Sequence, residues 1–173
     1  MIFMSQSGLT DTTRERDWDR WYFEHLNIMV TVPGISSAQR FRTVTPDYSP
    51  SLAMYSVAGA QVFEDPYYLS VRGMGEWLSL IDRRYYKRNL FDGLKYAPQV
   101  AAGKVLLVAD REMPEVGLAA IEWSWLPVAG IDRSTPYRGI AVVDADDAGP
   151  LRKAGDIAVY EPASSYHKPP QPA

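Results

Sequence analysis

Trp18-Asp19-Arg20-Trp21-Tyr22-Phe23-Glu24-His25-Leu26-Asn27 runs into Ile28-Met29-Val30-Thr31-Val32-Pro33-Gly34, and its apolar spacing decides how the first half of the chain is read. Trp18, Trp21, Tyr22, His25, Leu26 and Met29 recur at separations of about three or four, which places them on one face of a helix. Thr12 followed by Glu15 fits a capping box, Asp11, Glu15 and Asp17 put negative charge at the positive end of the helix dipole, and Pro33-Gly34 stops the run. The pattern predicts a helix over 12–31. Its apolar face carries one histidine among aromatics. Such a histidine is either a core-edge ring satisfied by a carbonyl or by Tyr22, or a general base or donor in a pocket, because imidazole titrates near neutral pH.

Outward from this helix, residues 1–6 read as a strand feeding it. Residues 37–44 form a strand with Phe41 and Thr43 on one face and Arg40, Arg42 and Val44 on the other. The turn Pro46-Asp47-Tyr48-Ser49-Pro50 leads into a partner strand at 52–57, making a hairpin. Asp65 and Pro66 cap a second helix over 63–72, broken by Gly73 and Gly75. Residues 83–96 supply a closing strand. The order βαββαβ is the ferredoxin-like arrangement: a four-stranded antiparallel sheet with both helices on one face and the other face needing cover.

The second half is expected to provide that cover. Gly34-Ile35 and Phe41-Arg42 recur at one shared offset as Gly130-Ile131 and Tyr137-Arg138, and Leu52-Ala53-Met54-Tyr55 returns, further displaced, as Ile157-Ala158-Val159-Tyr160. In this copy 104–110, 137–143 and 156–161 read as strands and 118–126 as a shortened helix or irregular segment. The expectation is α+β: a ferredoxin-like unit over 1–98, a degenerate and truncated second copy over 103–163, and a loose Pro-rich tail over 164–173, forming an α+β barrel within the chain or across a dimer. The offset carries His25 onto Ile121, so the histidine is not duplicated.

Totals narrow the function. A net charge of -3 and a pI near 5.4 give no basic footprint for nucleic acid. Cysteine is absent, which removes disulfides, thiolate metal sites and cysteine nucleophiles. The start Met1-Ile2-Phe3-Met4-Ser5 lacks a basic region and a long apolar stretch, and no segment approaches the ~18 apolar residues of a membrane span. A cytoplasmic location without membrane association is expected. Eleven tyrosines and five tryptophans favour recognition of something apolar or aromatic, or a dimer interface.

At Trp21-Tyr22, His25-Leu26, Val32-Pro33-Gly34 and Ala38-Gln39-Arg40-Phe41 the chain resembles the dimeric α+β barrel superfamily, in particular its EthD-like branch. The match covers roughly residues 10–72. Asn27 in place of a frequent proline, and the stretch Arg72-Gly73-Met74-Gly75-Glu76-Trp77, mark a distinct subfamily. The resemblance implies a pocket between sheet and helices, a homodimer, and small aromatic, polyketide-like or lactone-like substrates. Relatives include cofactor-free monooxygenases, cyclases, lactone isomerases and haem-dependent members, among which fold cannot choose.

His25 and Tyr22 are the candidate catalytic pair, with Tyr22 orienting the ring or donating to a substrate oxygen. Trp21, Asn27, Arg40, Arg72, Glu76 and Trp77 are the candidate substrate-binding residues, the arginines as grips for a carboxylate. Arg83 to Arg88 form a basic cluster read as a solvated face. With only His25 and His167 as histidines, no metal site is expected. The sequence thus reads as an enzyme performing acid-base chemistry of lyase, isomerase or lactone type on an aromatic or cyclic oxygenated compound, with no cofactor. The alternatives are a cofactor-free monooxygenase, a non-catalytic ligand-binding barrel and, more remotely, a haem protein.

Overall fold

The computed structural model describes residues 1–153 and 155–170. Its eight strands are β1 (Ile2–Ser7), β2 (Ile35–Arg42), β3 (Ser51–Val57), β4 (Lys87–Phe91), β5 (Lys104–Arg111), β6 (Ser124–Ile131), β7 (Tyr137–Asp144) and β8 (Ala158–Pro162). Two α-helices accompany them, α1 (Glu15–Met29) and α2 (Pro66–Val71), and short 3-10 turns fill several connections.

All eight strands pair antiparallel into one closed barrel, in the order β1-β3-β2-β8-β5-β7-β6-β4. This corrects the expected ferredoxin-like α+β fold. A free-standing four-stranded sheet would leave β2 and β4 as open edges; here β2 pairs with β8 and β4 with β6, so the sheet closes on itself instead of being backed by a second one. The interior is filled from every strand: Ile2, Met4, Phe41, Leu52, Phe91, Leu106, Leu126, Ile140 and Tyr160 belong to one buried cluster. Strand alternation sends the intervening residues outward.

The protein is mainly sheet because the second half builds no α-helix. Its segment between β5 and β6 contains Pro114 and Gly117, lacks helical apolar spacing, and forms only the 3-10 turn Leu118–Ala120. β6 itself escaped the sequence reading, since Pro127 and Gly130 interrupt it. The two halves do share a strand order, β4-β1-β3-β2 and β8-β5-β7-β6. The offset inferred from Gly34-Ile35 and Phe41-Arg42 nevertheless fails, because it spreads the single strand β2 over the end of β6 and the start of β7.

Outside the first half, α1 and α2 cover Phe3, Ala38, Ala53, Tyr55 and Leu90. Trp18, Tyr22, Leu26 and Met29 are the buried stripe of α1. A 3-10 turn at Thr12–Arg14 precedes the helix, and its cap is Asp11, which accepts from Thr13 N–H, where the sequence suggested Thr12 and Glu15. Gly34 follows the helix at φ 88°, where a Cβ would sit 2.7 Å from Val62 Cγ2, so the turn into β2 requires glycine. Outside the second half, Val105, Leu107, Ala141 and Val159 are covered by irregular loops bearing Leu118, Ile121, Trp123 and Leu151.

The β2–β8 seam is short, with only Phe41 and Arg42 in register against Pro162 and Glu161. The chain after β8 extends it. Ala163 N–H donates to Arg40 O, and Ala38 and His167 exchange two backbone hydrogen bonds. His167 is therefore buried and paired along β2, which corrects the reading of a loose tail from residue 164. Residues 171–173 of that expected tail lie outside the described residues. No helix among the described residues is long and apolar enough to cross a membrane.

Candidate functional site

Between the helical layer and the outer face of the first-half sheet lies a cavity of about 510 Å3, a size suited to a small organic molecule. β1 contributes Phe3 and Ser5, β3 contributes Tyr55, and α1 contributes Tyr22, His25 and Met29. α2 and the turn after it contribute Tyr68, Arg72, Gly73, Met74, Gly75 and Leu78, and Tyr86 and Arg88 come from the approach to β4 and from β4 itself.

Local sequence dictates this assembly. On α1, the positions next to the buried stripe carry Trp21 and His25, both only partly buried; His25 lines the cavity and Trp21 stacks against it. α2 starts at Asp65, whose carboxylate accepts from Tyr67 and Tyr68 N–H, and Pro66 occupies the first turn. Gly73 and Gly75, at φ 96° and 50°, let the chain fold back over the cavity. On β4, Arg88 and Leu90 point outward while Phe91 points into the barrel.

His25 stacks on Trp21 with ring centroids 4.8 Å apart and planes 11° apart, and meets Tyr22 edge-on at 6.0 Å. Its ring nitrogens make no hydrogen bond among the described residues. Burial lowers its pKa to about 4, so the ring is neutral at pH 7 and has a lone pair to offer a ligand. Burial also pushes the Tyr22 phenol up, although the Arg40 charge pulls against it, and Tyr55 is held well above the ordinary range by burial. Tyr68 is raised by burial, with Arg72 and then Arg88 opposing. These phenols are protonated donors at neutral pH.

Of the residues singled out from sequence, His25, Tyr22 and Arg72 line the cavity, and Trp21 backs the histidine. Arg40 does not reach the cavity. It lies buried beneath α1, donates to Asp19 at 2.6 Å and to Ser51 at 2.9 Å, and stacks over Trp18 and Tyr22 at 4.6 and 4.3 Å. Asn27 points to the other flank of α1, where it accepts from His167 Nδ1–H at 2.8 Å. Trp77 is buried with Arg14 at 5.2 Å over its ring, and Glu76 is exposed outside the lining. Arg42 is engaged by Asp19 and Glu15.

Tyr68, Tyr86 and Arg88 were missed. The last two sit in the cluster read as a solvated face; a strand alternation that puts Tyr86 and Arg88 on the face of Leu90 was the available signal. Among the described residues, no group of three or more His, Asp or Glu side chains is placed to hold a metal ion. No protein-family model matches the chain and no curated protein is detectably similar to it, so the EthD-like resemblance rests on the quoted residues alone.

Proposed function

We propose that the cavity binds a small aromatic or cyclic oxygenated compound and that His25 transfers a proton on it, in a reaction of lyase, isomerase or lactone type. The supporting observation is an imidazole neutral at pH 7, held flat by Trp21 and without a hydrogen-bond partner among the described residues, in a cavity whose lining is rich in aromatic rings and hydroxyls. A satisfied structural histidine would spend its nitrogens on protein groups.

His25 removes a proton from carbon or oxygen of the ligand, and Tyr22, protonated across the neutral range, donates to the oxygen where negative charge develops. A ring with so low a pKa is a weak base in the empty cavity. The negative charge growing on the ligand compensates, since it favours the imidazolium that forms beside it.

A non-catalytic binding pocket is the second reading, favoured by the absence, among the described residues, of any group orienting the His25 nitrogens. His25→Ala separates the two. With a ligand found by tryptophan-fluorescence screening of phenols, lactones and polyketide-like rings, an enzyme loses turnover more than tenfold in the variant while affinity is kept. Unchanged turnover removes His25 from the reaction, and a wild type that binds and never converts the ligand leaves the binding reading standing.

A further inference from the structure

The charge of the cavity lining does not follow the charge of the chain. The sequence carries 21 acidic against 18 basic residues, yet the lining contains Arg72 and Arg88 and not one aspartate or glutamate. Both arginines act on the Tyr68 phenol, so their charges bear on the same part of the cavity. Low-dielectric walls around charge of one sign concentrate its field on whatever enters.

The two guanidinium groups are presented differently. The guanidinium of Arg72, exposed at the end of α2, makes no ion pair or hydrogen bond among the described residues. Arg88 is half-buried and fixed from outside the lining by Asp132, which follows β6: Nη2 donates to its carboxylate at 3.1 Å, Nε at 3.5 Å and the Arg88 backbone N–H at 2.8 Å, and Asp132 N–H donates to Arg88 O. That side-on hold leaves Nη1 of Arg88 without a partner among the described residues. Five hydroxyls, from Ser5, Tyr22, Tyr55, Tyr68 and Tyr86, complete a donor-rich surface between aromatic rings.

Resting on the reading of this cavity as a ligand pocket, we infer that its ligand is an aromatic carboxylate, whose ring lies among the tyrosines and whose carboxylate is gripped by Arg72 and Arg88. Asp132 is a positioning residue: it aims Arg88 and touches no ligand. Because Asp132 belongs to the second half of the chain, the helix-free half of the barrel helps to set the specificity of a cavity built on the other half. Arginine suits this task, since its planar fork matches a carboxylate and its charge persists at every physiological pH.

Matched acid and amide pairs test the assignment by calorimetry at pH 7: benzoate with benzamide, and 2-naphthoate with 2-naphthamide. The acid of at least one pair is expected to bind tenfold or more tighter than its amide. Arg72→Gln and Arg88→Gln should each weaken the acid at least fivefold and leave the amide unchanged, and Asp132→Asn should weaken the acid by a smaller factor. Equal affinities, no binding by any of the four, or a preference that survives both arginine replacements overturns the anion grip. Arg72 is exposed, so its variant folds whatever happens to Arg88→Gln. The catalytic reading fails separately: an acid preference that persists in His25→Ala, with no turnover in the wild type, keeps the grip and removes only the enzyme.

Discussion

His25 is where sequence, burial and chemistry meet most directly. Its neutral state at pH 7 comes from burial alone, which disfavours the imidazolium. A reaction that needs the neutral ring should therefore have a kcat/KM that stays level from pH 8 to pH 5 and falls about tenfold per unit once the pH drops below the pKa of about 4. Stability responds over a different window. The folded pKa lies below the unfolded value of 6.5, so the unfolded chain binds the proton more readily; the contribution is intact above pH 6.5 and is lost as the pH falls towards 4, at roughly 1.4 kcal/mol per unit. Denaturant melts of the wild type and His25→Leu should diverge in slope across this range. His167, lowered by burial as well, titrates in the same direction in both proteins and cancels from the comparison.

Arg40 teaches the converse lesson. From sequence it is a strand arginine able to grip a substrate, and in the folded chain it is a buried fixture, sandwiched against Trp18 and Tyr22 and tied to Asp19 and Ser51. Arg40→Ala removes one of the two arginines that hold Asp19 at 2.6 Å, takes the donor from Ser51 and empties space under α1, and it should cost on the order of 3 kcal/mol in chemical denaturation.

At the level of elements, α1 carries the site and the strands beneath it set its height. Its buried stripe fixes the helix rotation, which in turn points His25 at the cavity with Trp21 stacked behind it. α2 is short and depends on its cap: Asp65→Ala removes the acceptor for two first-turn N–H groups and should lower stability by about 1 kcal/mol. Because α2 leads directly into Arg72 and the glycine turn, the same change should weaken ligand binding, measurable by the fluorescence titration. The seam of β2 with β8 needs the chain beyond it. A chain ending at Pro162 loses the bonds from Ala163, Ser164 and His167 to β2 and leaves Asn27 without its partner, and its melting temperature should fall by several degrees.

Across the whole molecule, one buried arginine links the two halves through a hydrogen bond to β1. Arg138 on β7 is fully buried, makes a bidentate pair with Asp110 on β5 at 2.7 Å, and reaches across the barrel to Gln6 on β1 at 2.8 Å. Truncation of Arg138 to alanine should cost about 3–5 kcal/mol, because it leaves Asp110 with an uncompensated charge and Gln6 without a donor. Closure of the sheet also means that neither half keeps its edges paired alone. A single cooperative transition, coincident by tryptophan fluorescence and far-UV circular dichroism, is the expected outcome of unfolding.

What the sequence determined by itself is local: the apolar stripe of Trp18, Tyr22, Leu26 and Met29, the Asp65-Pro66 start of α2, and the apolar runs of β1, β2, β3, β5, β7 and β8. These patterns arise within one turn or one strand, so neighbours along the chain suffice to write them. The same stripe marked His25 and Tyr22 as companions. Tertiary structure decided the rest. Whether β2 and β4 stay as edges or find β8 and β6 depends on pairings between residues more than a hundred apart for β2 and some forty apart for β4. Backbone hydrogen bonds of this kind leave no periodic trace in side chains. The fate of each arginine was settled in the same way: Arg40, Arg72 and Arg88 carry the same group, and only the carboxylates and rings that folding brings beside them make one a buried brace and leave two facing the cavity.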